Sequence, residues 1–333
     1  MALIDTLESA WYGDGRAPWW TWPLAVLYGA VVRLRAGLYR IGALPSERLP
    51  RPVIVIGNIS VGGTGKTPLT IAVVDELRQR GYRPGVVSRG YGGSQREACL
   101  LDETPDPAVV GDEPCLIRAG GVPVAVARRR AAAARLLLAA GCDVLLADDG
   151  LQHYALARDV EICVIDGSRR FGNRRLLPAG PLREPLSRLR RVDLRVCNGG
   201  VAGQGEYPMQ LHGEVLVALV DGRRESLADW QGRRVHAVAA IGHPRRFFDS
   251  LRAAGLDVIE HGFPDHHAFT PGELDFADQL PLLMTDKDAV KCGRFAQAHW
   301  WRLPVQAQLP PAFYEALAER LAGLRRERNS PPA

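Results

Sequence analysis

Residues 60–67, Ser60-Val61-Gly62-Gly63-Thr64-Gly65-Lys66-Thr67, have the composition of an anion cradle. Glycines let successive backbone N–H groups face one anion at a helix N-terminus, and a terminal lysine and threonine add a cation and a hydroxyl ligand. The apolar run Pro52-Val53-Ile54-Val55-Ile56-Gly57 before the loop reads as a strand, and Leu69 to Leu77 after it as a helix. Strand, glycine loop and helix in this order point to a bound nucleoside triphosphate, contacted by Gly62, Gly63, Thr64, Gly65, Lys66 and Thr67. Ser60 stands where the usual G-x-x-x-x-G-K-[ST] pattern has glycine, but the core from Gly63 to Thr67 is intact. Residue usage supports the reading: of 42 basic residues only Lys66, Lys287 and Lys291 are lysine. Lysine is kept where a compact ammonium must sit among phosphate oxygens and a planar guanidinium would not fit.

Further along, Val144-Leu145-Leu146-Ala147-Asp148-Asp149-Gly150 is an apolar strand ending in two carboxylates. A phosphate-binding enzyme needs a carboxylate there to hold Mg²⁺ or its waters beside Thr67, and the carboxyl end of such a strand is where these sheets place ligands. Gln152 and His153 follow directly, within reach of a bound group. Gly111-Asp112-Glu113-Pro114 opens a helix, where Asp112 serves as an N-cap or, on the phosphate side of the sheet, as a functional carboxylate. Phe263 to Phe269 contains Asp265-His266-His267, either a surface loop or a histidine that tunes a carboxylate across a cleft. Thr285-Asp286-Lys287-Asp288 differs in spacing from the guanine-reading N/T-K-x-D element, so guanine specificity is not assigned; it also reads as a solvated acidic-basic turn. The Gly- and Pro-rich segment Phe171 to Pro185 carries Arg174, Arg175 and Arg183, a rigid cationic loop for a substrate phosphate or an ordinary exposed connection.

Positioning these groups requires an α/β scaffold. Apolar runs at 52–57, 84–88, 122–127, 143–148, 160–166 and 192–197 alternate with helical patterns at 66–80, 112–119 and 129–140. This predicts a P-loop NTPase-like, mostly parallel sheet flanked by helices. An alternating stretch from Tyr207 to Val217 predicts a β-ribbon hinge. A smaller α/β domain follows, with strands 235–241, 257–261 and 281–285 and helices 244–254 and 271–279. The expected division is an N-terminal interfacial helix region at 1–45, a P-loop core at 46–204, a hinge at 205–220, a smaller domain at 221–310 and a last helix and tail at 311–333.

The length of 333 residues accommodates two domains, and 47% hydrophobic content marks a globular chain. The net charge of +5 suits an anionic partner. Six dispersed cysteines form no C-x-x-C pair and read as core residues of a reducing compartment. Met1-Ala2-Leu3-Ile4-Asp5 lacks the basic region of a secretory signal. Four of seven tryptophans, Trp11, Trp19, Trp20 and Trp22, fall within the first 22 residues. The uncharged stretch Ala17 to Val32 behind them is too short to span a bilayer. On a helical wheel Leu24, Leu27, Tyr28, Val31, Leu34 and Leu38 share a face, with Arg33 and Arg40 opposite and Arg35 on the apolar side, where it would have to snorkel. That pattern fits a helix lying in an anionic membrane interface, and it also fits a helix packed on its own domain.

The ordered set Gly57 to Pro68, Ser88-Arg89-Gly90-Tyr91-Gly92, Gly111-Asp112-Glu113-Pro114, Asp148 to His153, Pro178 to Glu184, Asp265-His266 and Thr285 to Lys291 resembles the tetraacyldisaccharide 4'-kinase family of lipid A synthesis, from the N-terminal helix to at least residue 292. The resemblance implies ATP-dependent phosphorylation of the 4'-hydroxyl of tetraacyldisaccharide 1-phosphate at the cytoplasmic face of a bacterial inner membrane, to which the protein is peripherally bound. It implies ATP and Mg²⁺ as cofactors, the acylated disaccharide and an anionic membrane surface as partners, and neither nucleic acid nor an obligate protein partner. It makes Lys66 the contact to the β- and γ-phosphates and Thr67, Asp148 and Asp149 the metal ligands. Asp112 becomes the base for the sugar hydroxyl, assisted by His266, with His267 as the competing assignment. Arg89, Arg130 and Arg183, with Gln152 and His153, are its substrate-side candidates. Two other classes share parts of the pattern. A soluble P-loop ligase needs no tryptophan-rich helix, and a nucleotide-driven switch needs no acceptor base.

Overall fold

Two sheets organise the chain in the computed structural model, which describes residues 2–13 and 15–329. The larger has nine strands in the order β15 (Gln306–Gln308), β8 (Tyr207–His212), β7 (Leu194–Asn198), β6 (Val160–Asp166), β1 (Val53–Gly57), β5 (Val144–Ala147), β2 (Pro84–Ser88), β4 (Val124–Val126) and β3 (Cys99–Leu100). From β8 to β4 all neighbours are parallel, and the short strands β15 and β3 close the edges antiparallel. Every residue of β1 is buried, as a central strand covered on both faces requires. Its side chains alternate between two cores. Ile54 and Ile56 pack with Leu69, Val73 and Leu77 of α3 (Lys66–Gln79) and with Phe313, Leu317 and Leu321 of α9 (Pro311–Asn329). Val53 and Val55 pack with Ala133, Ala134 and Leu137 of α6 (Arg130–Ala139), whose small residues let helix and sheet approach closely. This is the expected α/β architecture. The edge strand β3 is too short to leave a periodic signature.

The smaller sheet has the order β10 (Arg224–Ser226), β9 (Val215–Ala218), β14 (Trp300–Leu303), β13 (Leu282–Thr285), β11 (Arg234–Ala239) and β12 (Asp257–Gly262). Beside it lie α7 (Pro244–Ala253) and α8 (Asp286–Cys292). The helix expected over 271–279 is only a 3₁₀ turn at Pro271–Leu274, closed by a capping box between Thr270 and Glu273. Beyond it Asp278 accepts hydrogen bonds from the Leu280 N–H and contacts the His236 ring, and Gln279 takes a positive φ, so the chain turns instead of continuing the helix.

The alternating stretch 207–217 does not fold back on itself as a ribbon. β8 joins the larger sheet and β9 the smaller, and both pair with the returning segment 300–308, β9 with β14 and β8 with β15. The two sheets are thus joined by two antiparallel crossings, and residues 306–310 lie with the larger sheet, outside the smaller domain expected for 221–310. Periodicity marks a strand but does not name a partner 90 residues away. Helix α9 packs on the larger domain through Phe313, Leu317 and Leu321. Met1 and the tail residues 330–333 lie outside the described residues.

At the N-terminus, α1 (Ala2–Tyr12) and α2 (Thr21–Arg40) lie against the larger domain. The Trp11 indole donates to Pro178 O at 2.9 Å and the Tyr28 hydroxyl to Arg183 O at 3.0 Å. Helix α2 buries Thr21 and Gly29, where a Cβ would come within 2.8 Å of the Leu176 side chain. Its opposite face leaves Val26, Leu27, Val31 and Leu34 more than half exposed, with Trp19 82% exposed in the turn before it. The wheel expectation is corrected in two places. Tyr28 turns inward, and Arg35 lies over the Tyr39 and Tyr154 rings at 5.8 Å from each centroid, on the protein side of the stripe. No helix among the described residues is long and apolar enough to cross a membrane.

Candidate active site

The glycine loop leaves the carboxyl end of β1 and enters α3. Gly62 and Gly65 hold φ values of 95° and 89°, a conformation that L side chains adopt only under strain. At Gly65 a Cβ would also lie 2.3 Å from Asn198 Nδ2. Ser60 keeps an ordinary φ and pairs strand-like with Leu182, while the Val61 N–H donates to Pro181 O at 2.9 Å, so the first position of the motif has no need of glycine here. Asn198, at the end of β7, donates from Nδ2 to Thr64 O at 2.9 Å, and Arg169 donates from Nη2 to Gly63 O at 3.1 Å. These carbonyl contacts fix the loop from outside and leave its N–H groups for an anion.

Asp148 and Asp149 form the turn directly after β5, the strand paired with β1. Asp148 is buried, and its Oδ1 accepts from Thr70 Oγ1 at 3.2 Å. Burial, reinforced by the nearby Glu113 carboxylate, pushes its pKa up to about 7. Asp149, more exposed and at φ 47°, lies 3.6 Å from Lys66 Nζ and 3.2 Å from Arg183 Nη1. Burial opposes its charge, but Lys66, Arg183 and Arg130 outweigh that and hold its pKa below the ordinary carboxylate range. Asp148 Oδ2 is buried without a hydrogen-bond partner. An orphaned carboxylate oxygen at this place, with a second carboxylate and the Thr67 hydroxyl close in the fold, is a donor set of the hard oxygen type that suits Mg²⁺.

Asp112 is the first residue of α5 (Asp112–Ala119), which follows the short helix α4 (Pro107–Val110); the N-cap is Gly111, at φ 91°, and no side chain caps the helix. The carboxylate is therefore not engaged in capping. Its Oδ2 lies 3.1 Å from His266 Nδ1, and Lys291 Nζ is 4.0 Å away. Burial pushes the Asp112 pKa up, but the His266 hydrogen bond and the ammonium groups of Lys291 and Lys287 bring it below its ordinary value. His267 turns away and pairs with Glu273 at 3.0 Å. Geometry thus brings His266 and not His267 to Asp112. The Tyr91 ring packs edge-on to His266, with centroids 5.2 Å apart.

The remaining expected residues fall into two groups. Arg89 follows directly on β2 and is exposed. His153 lies among Arg130, Arg158, Arg35 and Arg89, and burial together with these cations pushes its pKa down to about 4, so it is neutral near pH 7. Gln152 bridges Asn58 O at 2.9 Å and Glu184 Oε2 at 2.8 Å. Arg130 is buried, with Nη2 donating to Asp148 O at 3.0 Å and Asp149 O at 2.8 Å. Arg183 braces Asp149. Arg130 and Arg183 therefore brace the turn at Asp148 and Asp149, and Gln152 ties the residues after it to Asn58 and Glu184.

Several residues of the site carried no motif. Gly242, after β11, meets the glycine loop so closely that a Cβ on it would lie 2.5 Å from Gly63 N. Arg169 donates to Gly242 O as well as to Gly63 O, and Arg246 donates to Asn198 Oδ1 at 2.9 Å. The smaller domain thus rests on the phosphate loop and also delivers His266, Lys287 and Lys291 to Asp112. A signal for the two lysines existed in the sequence, since the scarcity of lysine that marks Lys66 marks them equally.

The family model described as tetraacyldisaccharide-1-P 4'-kinase matches residues 17–322. A tetraacyldisaccharide 4'-kinase of Stenotrophomonas maltophilia is 52% identical over 95% of this chain and 96% of its own length. One from an Azoarcus species is 49% identical over 99% and 98%. The crystal structure of LpxK from Aquifex aeolicus in complex with ATP superposes with a TM-score of 0.76 at 28% identity, covering 90% of this chain and 98% of that one.

Proposed function

The chain belongs to the tetraacyldisaccharide 4'-kinase family and is an ATP-dependent lipid A 4'-kinase, and from that premise we propose which of its residues carry the transfer of the γ-phosphate to the 4'-hydroxyl of tetraacyldisaccharide 1-phosphate. The observation that carries the assignment is the contact of Asp112 with His266 across the two domains, beside a phosphate loop. A switch protein has no use for an acceptor base so placed.

In this scheme the N–H groups of Gly62 to Thr67 and the Lys66 ammonium bind the β- and γ-phosphates. Thr67, Asp148 and Asp149 would hold a magnesium ion, which when bound neutralises charge on the phosphate oxygens. Asp112 accepts the hydroxyl proton on Oδ1, the oxygen that His266 does not engage, while His266 fixes the orientation of the carboxylate. Phosphoryl transfer asks mainly for positioning and charge neutralisation, which Lys66, Arg169 and the closed domain seam supply. Arg89 and the neutral His153, at the end of the sheet nearest α2, contact the lipid headgroup.

The exposed face of α2 supports a peripheral position on an anionic membrane, with tryptophans at headgroup depth. Use of ATP puts that membrane face on the cytoplasmic side. The test is transfer of label from γ-labelled ATP with Mg²⁺ to tetraacyldisaccharide 1-phosphate in mixed micelles, with Lys66→Ala as the blank. Labelled lipid absent from the blank is expected; ATP turnover with unlabelled lipid would reject the acceptor.

A further inference from the structure

His266 stands between two carboxylates. Its Nδ1 is 3.1 Å from Asp112 Oδ2, and its Nε2 is 3.9 Å from Asp265 Oδ1. A neutral imidazole has one ring proton, so it can donate to only one of them. Lys287 occupies the Asp265 side: its Nζ is 3.2 Å from His266 Nε2 and 3.2 Å from Asp265 Oδ1, with Glu113 Oε1 at 3.6 Å. An ammonium offers donors and no acceptor, so the ring nitrogen facing it must present a lone pair.

We propose that Lys287 is a positioning residue that selects the Nδ1–H tautomer of His266 and thereby commits the single ring proton to Asp112. This rests on the reading of Asp112 as the base. Without Lys287, the Asp265 carboxylate would compete for a proton on Nε2. The Nδ1 lone pair would then oppose the Asp112 lone pairs and push the base out of register.

The local fold holds Lys287 in place for this task. Thr285 caps α8 by accepting from the Asp288 N–H at 3.2 Å, and Asp288, fully buried, accepts from the Ala240 N–H at 3.0 Å. The first turn of α8 is thereby fastened to the end of β11. Burial opposes the Lys287 charge, but Glu113, Asp265 and Asp112 raise its pKa, so it remains an ammonium near neutral pH. Lys291 cannot substitute. It is paired with Asp288 at 2.7 Å, donates to His267 O at 3.1 Å and acts on Asp112 from 4.0 Å without touching the ring.

The experiment is a long-range ¹H–¹⁵N correlation spectrum of the full chain, labelled with ¹⁵N-histidine in detergent micelles, with His266→Gln to assign the ring. The wild type is expected to show His266 with Nε2 unprotonated; a protonated Nε2 there overturns the proposal without any variant. Lys287→Met is expected to move the proton to Nε2 and lower kcat roughly tenfold to a hundredfold, with KM for ATP nearly unchanged. Lys287→Arg, which keeps a donor, and the double change Lys287→Met with Asp265→Ala, which removes the competitor, should both restore the Nδ1–H form. A folded Lys287→Met protein that keeps Nδ1–H overturns the proposal whatever its activity. Turnover of Asp112→Asn judges the base separately, because the wild-type tautomer is read without catalysis.

Discussion

Asp112 and His266, separated by 154 positions in the chain, meet at 3.1 Å across the seam between the two sheets. The carboxylate opens a helix of the larger domain, and the imidazole comes from the loop after β12 of the smaller one. Neither domain alone holds the pair, so the contact forms only when the two sheets are closed on each other.

Replacing Asp112 with Asn keeps the shape and removes the carboxylate proposed as the proton acceptor. The expected result is a loss of kcat of about 10²- to 10⁴-fold with little change in ATP affinity. Steady-state kinetics and nucleotide titration check this together. Turnover near the wild-type level would remove Asp112 from its role.

Asp148 makes stability depend on pH in a defined direction. Its folded pKa is raised to about 7, whereas an unfolded aspartate titrates near 3.9. Between these values the folded state holds a proton that the unfolded state releases, so this group's stabilising contribution is present at low pH and is lost as pH rises from about 4 to about 7. In metal- and nucleotide-free buffer, Asp148→Asn should melt a few degrees above the wild type at pH 8, and the difference should shrink toward pH 4. If Asp148 holds magnesium as proposed, the same proton would compete with it, so the magnesium concentration required for half-maximal activity should rise below pH 7. Thermal melts at the two pH values and a magnesium titration give the answer.

The exposed stripe of α2 can be tested without disturbing its buried face. Leu27 and Leu34 are 62% and 65% exposed, so Leu27→Glu with Leu34→Glu should leave the circular dichroism spectrum unchanged. Each leucine would contribute up to about 1.5–3 kcal/mol on entering an apolar phase, so binding to anionic vesicles should weaken by on the order of a hundredfold. Undiminished co-sedimentation would reject the membrane role. Removing residues 1–40 is a poorer test, because it also removes the contacts of Trp11 and Tyr28 with the segment at 178–183.

Gly242 tests the seam itself. A methyl group there would approach the backbone nitrogen of Gly63 to 2.5 Å, where no flexible side chain can give way, so the loops must part. Gly242→Ala should lower kcat/KM by roughly tenfold or more, since misplacement of reacting groups by about 1 Å has costs of that order. It should also increase the radius of gyration measured by small-angle scattering. Wild-type kinetics in a folded variant would show that this contact is not needed for closure.

Much of the larger domain was legible because its signals are local. The run Val53 to Gly57, the glycines at 62 and 65 and the apolar spacing of α3 each follow from backbone sterics and from which side chains must leave water, so they read correctly within ten or fifteen residues. Lys66, Asp148 and Asp149 are legible as candidates for the same reason, since Lys66 closes the glycine loop and the two aspartates follow directly on β5. The edge strands β3 and β15, the partner of β8 and the short turn at Pro271 depend on pairing and hydrogen bonds with distant segments, about which periodicity is silent.

The sequence by itself determined that a phosphate loop and a pair of carboxylates would lie at the carboxyl ends of strands in a parallel sheet, because strand ends and glycine conformations are properties of a few adjacent residues. Only the tertiary structure decided that Asp112 is free of capping, that His266 and not His267 reaches it, that Arg130 braces a turn, that Lys287 meets the His266 ring and that Gly242 meets the phosphate loop. Those outcomes depend on distances of a few ångströms between chain segments far apart in sequence, and such distances are set by how two cores pack and how their buried charges find partners.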